Sequence, residues 1–165
     1  MQANDLSILT SELHHLVESW QLPADEGDRL YPVNTVVDAY LKGKNDGMDQ
    51  TSKLLKKQLQ DNFSKAAKDT SKVVEFLKAK GIESISAHLK ICSLYDLSVL
   101  ITISEFDFLR DVFSEVYNFT NHIEQIEKSD LYSISFSFVN RSYQFNTELL
   151  RSDGFILSLK ELQSK

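Results

Sequence analysis

MDQTSKLLKKQLQDNFSKAAKDTSKVVEFLKAK, residues 48–80, is followed by Gly81 and then by IESISAHLKICSLYDLSVLITI, residues 82–103. The hydrophobic period changes at the glycine. Before it, Met48, Ser52, Leu55, Leu59, Phe63, Ala66, Thr70, Val73 and Leu77 fall within about 40° of one direction at 100° per residue. No Pro or Gly interrupts the run, and Gly81 stands where a helix C-cap glycine belongs. The spacing therefore predicts a long amphipathic helix, with Asn62 and Thr70 as the places where it could break. After the glycine, Ile85, Ala87, Leu89 and Ile91 alternate with Ser86, His88 and Lys90, the period of a strand with one buried face. Leu97–Ile103 is apolar on both faces and reads as a central strand.

Toward the C-terminus, Ser104-Glu105-Phe106-Asp107 fits a capping box, with Ser104 as N-cap and Asp107 reaching back. The helix it opens is expected to run to Glu127 with Phe108, Leu109, Val112, Phe113, Val116, Phe119 and Ile123 on its apolar face. Leu131–Val139 then places Tyr132, Ile134, Phe136 and Phe138 on one side and three serines on the other. The aromatic side reads as core, and the serine side as open to water or covered by another chain. Asn140-Arg141-Ser142 is read as a turn into a strand over Tyr143–Leu149. Ser152-Asp153-Gly154 signals another turn before a further strand, Phe155–Leu159.

Toward the N-terminus, Leu6, Leu9, Leu13, Leu16, Val17 and Trp20 mark a helix from Asp5 to Trp20, ended by Pro23. A polar connection leads to a short helix over Pro32–Lys42, closed by Gly43. The fold expected is α+β: a helical portion (1–81) with one long amphipathic helix, then a mostly antiparallel sheet of four to five strands (82–165), in the order β-β-α-β-β(-β) with one packed helix. At 165 residues this is one domain's worth of chain.

Composition narrows the function classes. The hydrophobic fraction is 42% and the charged fraction 25%, values of an ordinary globular protein. A single cysteine, Cys92, excludes an intramolecular disulfide and reads as a small core hydrophobe. No signal peptide or run long and apolar enough for a membrane span is visible, so a cytoplasmic protein without a membrane partner is expected. The net charge of −6, and the use of 14 Lys against 4 Arg, argue against general nucleic-acid binding. All five glycines are explained as turn or cap residues. There is no phosphate-cradling loop, nucleophile elbow or metal-ligand spacing among the four histidines, so no catalytic residue, metal site or cofactor is assigned.

Two features carry a functional expectation. The long helix holds eight lysines against four carboxylates, +4 in a chain whose total is −6. The helix over 105–127 is acidic, and is either dipole-favoured surface or a negative face for a basic partner. The reading these support is a non-catalytic protein-binding or regulatory module, akin in physical profile to small inhibitors, immunity proteins or chaperones. Its partner would be another protein chain, either a second copy or a different protein. The contact residues would be the apolar stripe Leu55, Leu59, Phe63, Val73 and Leu77, with Lys53, Lys56, Lys57 and Lys65 steering the encounter. Nucleic-acid binding by the lysine-rich helix and an unrecognised enzyme with a concave polar pocket are the rival expectations.

Overall fold

The computed structural model describes residues 20–22, 31–42, 49–142 and 145–159. Most of the helix expected over 5–20 lies outside the described residues. Trp20, its last member, belongs instead to a short strand, β1 (Trp20–Leu22), which pairs with β2 (Tyr31–Pro32). The first half is thus not wholly helical. Helix α1 (Val33–Lys42) follows with Val37 fully buried. Then comes α2 (Asp49–Ala79), unbroken over 31 residues and about 46 Å long.

The two suspected break points in α2 are held by side-chain bonds. Asn62 donates to the carbonyls of Leu94 and Leu131 at 3.0 and 2.9 Å, and accepts from Gln58 one turn earlier. Thr70 returns its hydroxyl to the Ala66 carbonyl at 2.7 Å. The helix ends in a Schellman motif. Gly81 has φ +68° and donates to Lys78, while the Ile82 N–H reaches the Leu77 carbonyl and its side chain is buried.

β3 (Ser84–Ile91) and β4 (Asp96–Ile103) form the expected antiparallel hairpin. The helical segment after β4 is not continuous. It divides into a single turn, α3 (Glu105–Phe108), and α4 (Phe113–Glu127), joined by i→i+3 hydrogen bonds from Arg110 to Asp107 and from Phe113 to Arg110. The break lets the rings of Phe108 and Phe113 meet at 5.2 Å, five residues apart, where a straight helix would point them to different faces. Phe113 also meets Tyr117 and Phe138 edge-on.

β5 (Ser133–Asn140) runs parallel to β4, the crossover being α3 and α4. The strand expected over Tyr143–Leu149 is replaced by helix α5 (Thr147–Ser152). Asn146 caps it by accepting the Glu148 N–H at 2.8 Å, a local signal stronger than the alternation of Tyr143, Phe145 and Leu149. Gly154, at φ +93°, turns the chain into β6 (Phe155–Leu159). The sheet order is β2-β1-β6-β3-β4-β5, and β4/β5 is the single parallel pairing within it.

The register separates the two faces. Leu157, Leu89, Val99 and Phe136 are directly opposed across four strands, and all are buried with α2 and α4 in the core. One residue along, Ser158, His88, Leu100 and Ser137 make the corresponding row of the opposite face. There Ser135 and Ser137 are exposed, so the serine side of β5 is open. Phe76 of α2 stacks on Phe119 of α4 with ring centroids 4.1 Å apart, which ties the two helices together.

β5 is an edge strand. The Ser133 and Arg141 N–H groups bond to Tyr95 and Ile103, so its odd-numbered peptides face β4 and its even-numbered ones face outward. One outward donor, the Phe136 N–H, is covered by the Glu124 carboxylate of α4 at 2.6 Å. This blunts an edge that could otherwise recruit another strand. Glu124→Ala is expected to increase concentration-dependent association in light scattering, and Glu124→Gln, which keeps the acceptor, to behave as the parent does. Phe63→Ala, deep in the core, is expected to cost about 3–5 kcal/mol in denaturant unfolding, against less than about 0.5 kcal/mol for Leu54→Ala on the exposed side of the same helix.

Candidate functional site

Four of the five apolar residues expected to contact a partner, Leu59, Phe63, Val73 and Leu77, are 0% exposed, and Leu55 is half-buried against the same core. The stripe is therefore the chain's own interior. The sheet face and α4 both need an apolar surface to cover them, and α2 is the longest element able to supply it.

The lysines divide in two. Lys56 pairs with Asp38 of α1 at 2.6 Å, Lys65 and Lys72 both pair with Glu127 of α4, and Lys80 pairs with Glu115. Lys53, Lys57, Lys68 and Lys78 stay exposed. They share an arc of about 100° with Asp61 and Glu75, which are also exposed. Half of the positive charge is thus neutralised within the chain and the rest is interleaved with carboxylates, an unfavourable pattern for a polyanion.

Lys65 and Lys72 belong to a clamp that the sequence did not announce. Asp69, almost completely buried, accepts the Tyr132 hydroxyl at 3.0 Å and the Lys72 ammonium at 2.7 Å. Lys72 also reaches Glu127, and Lys65 lies 4.2 Å over the Tyr132 ring. Burial, and then the Asp69 charge, push the Tyr132 phenol far above its usual range. The Lys72 hydrogen bond, opposed by burial and helped by Lys65, holds the Glu127 carboxyl below its ordinary value. For Lys72 itself burial works against the charge, and Asp69 and Glu127 overcome it, so its pKa is raised. These groups bind α2, the end of α4 and the start of β5 to one another. Their chemistry is structural.

The two most exposed large apolar side chains among the described residues lie at the α3 corner. Phe106 is 79% exposed and Leu109 is 77% exposed. Leu109 was expected on the core face of a continuous helix, and the break after Phe108 turns it to the outside. The capping box is present in a variant form: the Ser104 hydroxyl accepts the Asp107 N–H at 3.0 Å and donates to the Asp107 carboxylate at 2.8 Å. Arg110 joins that carboxylate at 3.1 Å and also donates to the carbonyls of Gly81 and Lys80 at the end of α2. Burial of Asp107 raises its pKa, but the bonds from Ser104 and Arg110 prevail and the carboxyl is held low. The corner is thus pinned to the C-terminus of the longest helix, where a cation is favoured. Glu105 and Asp111 flank the two apolar residues and are both exposed.

A concavity lies on the open face of the sheet, under α5. His88 and Ser158, opposed across β3 and β6, form its floor, and Glu148 and Arg151 overhang it. Its volume is about 380 Å³. His88, on the polar side of β3, is drawn into this cleft and its Nε2 lies 3.0 Å from the Ser86 hydroxyl. Burial, then the Arg151 charge, lower its pKa and so favour the neutral ring. The cleft is not visible in the sequence, where Tyr143–Leu149 reads as a strand and not as the helix that overhangs it. Cys92 is exposed rather than a core hydrophobe. Among the described residues no group of three or more His, Cys, Asp and Glu side chains could hold a metal ion, and no helix is long and apolar enough to cross a membrane.

The clamp has a pH signature. The Glu127 pKa is depressed in the folded chain, so the unfolded chain takes up its proton first as pH falls below the ordinary value of 4.5. Its stabilising contribution is complete above that value and drains away as pH falls through the folded pKa. Glu127→Gln is expected to cost about 1 kcal/mol at neutral pH and to flatten the acid limb of a denaturant-midpoint-versus-pH curve. No protein-family model matches this chain, and no curated protein or solved structure is significantly similar to it.

Proposed function

We propose that this chain is a non-catalytic binding module that docks another protein, and that its docking surface is the α3 corner rather than the apolar stripe of α2. The observation that carries this reading is the pair Phe106 and Leu109, one turn apart, the two most exposed large hydrophobic residues among those described. A hydrophobic pair held outward on a clamped turn is preorganised, which lowers the entropic cost of association. Large apolar anchors near the centre of an interface carry most of its energy.

The partner's chemistry follows from the rim. The ion pairs of this corner, Asp107 with Arg110 and Glu115 with Lys80, leave out Glu105 and Asp111. An apolar pair bordered by two exposed carboxylates suits a basic, amphipathic segment of another protein, whose cations would speed the encounter and fix its orientation. A regulatory, inhibitor-like or chaperone-like role is consistent with such a surface.

The reading is tested with a fluorescent lysine–leucine helical peptide and the double variant Phe106→Ser/Leu109→Ser. Binding by anisotropy is expected to weaken with added salt, and to fall about tenfold or more in the variant, whose thermal melting stays close to that of the parent. Binding that ignores the double substitution would sink the proposal. A parent chain that sediments as a dimer, and a variant that sediments as a monomer, would assign the corner to a second copy instead.

A further inference from the structure

We propose that the outer edge of β5, from Phe136 to Asn140, is a strand-addition site for an extended, cation-bearing segment of another protein, with Glu124 as its latch. This edge is separate from the α3 corner and does not depend on it. The even-numbered peptides of β5 face away from β4. Glu124 covers the Phe136 N–H, but the Phe138 N–H and carbonyl have no hydrogen-bond partner among the described residues. Ile134 is 3% exposed, which closes the site at the start of the strand, whereas Phe138 and Asn140 are half-buried. The stretch 136–140 carries neither proline nor charge, and β5 pairs with β4 without a bulge. The protections that an edge strand carries in itself are thus missing, and the Glu124 carboxylate stands in for them.

Helix α4 runs alongside this edge. Its Glu124 lies at Phe136, and two turns earlier Tyr117 meets the Phe138 ring edge-on, with centroids 5.6 Å apart, while remaining 43% exposed. An antiparallel strand added here would exchange both ladder bonds with Phe138. Once Glu124 swings off, it would do the same with Phe136. Residues directly opposite each other point to the same face. The residue opposite Phe138 therefore meets the rings of Tyr117 and Phe138, which suits an apolar side chain. The residues between lie beside the exposed Ser137 and are small and polar.

Glu124 sets the second requirement. It forms no ion pair among the described residues, and once displaced from the Phe136 N–H it needs another donor. A lysine or arginine opposite Phe136, two positions from the apolar residue, supplies a charge-assisted one. Neighbouring cations do not take that place. Arg141 keeps the odd-numbered register, so its side chain follows the serines to the other face. Lys128, a turn beyond Glu124, lies toward the closed end of the strand. A second copy of this chain fits worse, because it would bring its own α4 and Glu124 to the same edge and set carboxylate against carboxylate.

The test is an NMR titration of the full chain with the blocked peptide Thr-Lys-Thr-Val-Thr-Lys-Thr, read at the Phe136 and Phe138 backbone amides. Both signals are expected to shift saturably. The same peptide N-methylated at its valine, which cannot donate to the Phe138 carbonyl, is expected to bind about tenfold more weakly. Glu124→Gln keeps the cover and removes the charge; it is expected to weaken binding about three- to tenfold and to flatten its salt dependence. Phe106→Ser/Leu109→Ser is expected to leave the Phe138 shift in place. A Phe138 amide that does not move, or an N-methylated peptide that binds equally well, overturns strand addition. Glu124→Gln binding like the parent overturns the cation-bearing partner. Loss of the Phe138 shift in Phe106→Ser/Leu109→Ser would move the peptide to the α3 corner, and protection of Phe138 that rises with protein concentration alone would give the edge to a second copy. Either result overturns the proposal.

Discussion

A helix of 31 residues whose middle turns are buried on more than one side has to be enclosed, and the rest of the described structure is organised around enclosing α2. Its apolar stripe meets the sheet and α4. The polar residues Asn62, Ser64, Asp69 and Thr70 of the helix are buried too, and buried polar groups are tolerable only with partners. Asn62 finds them in the carbonyls of Leu94 and Leu131, and Asp69 in Tyr132 and Lys72. Three of these bonds leave the helix, for Leu94 in the β3–β4 turn and for Leu131 and Tyr132 just before β5, so the polar side of the helix sets positions that hydrophobic burial alone would leave loose.

The same constraint explains the break between α3 and α4. The chain leaving β4 must cross the core and return parallel to it, with α4 stacked on α2 through Phe119 and Phe76. At the start of that crossover Arg110 is committed to the carbonyls closing α2, and Phe108 to the cluster around Phe113. A straight helix from residue 105 could not satisfy both. The one-turn α3 does, and it leaves Phe106 and Leu109 outside. The two most exposed large apolar side chains among the described residues are therefore a by-product of how the core is closed.

Much of the architecture was legible from pattern alone. The long helix, its glycine cap, the β3–β4 hairpin, the aromatic face of β5 and the strand after Gly154 all follow from periodicities of 3.6 and 2 with turn residues between them. The errors came where two local signals competed or where a segment was short. Tyr143–Leu149 alternates like a strand, yet Asn146 is an N-cap and the segment after it is a helix. β1 and β2 have three and two residues, too few for any periodicity to register. The candidate sites fared worse than the fold. A stripe of Leu55, Leu59, Phe63, Val73 and Leu77 is the same in sequence whether it faces a partner or its own sheet, and only the sheet's position decides.

What this sequence determined by itself is which stretches form helices and strands and which side of each is apolar, because those properties depend on spacing along the chain. It also set the charge contrast between the lysine-rich helix and the acidic remainder. Tertiary structure alone decided which of those charges cancel, since Lys65 and Lys72 meet Glu127 from 62 and 55 residues away. It alone decided that Leu109 is outside, that Cys92 is exposed, and that His88, Ser158 and Arg151 share one cleft. Distances through space between residues far apart in sequence are set by packing, and no local pattern encodes them.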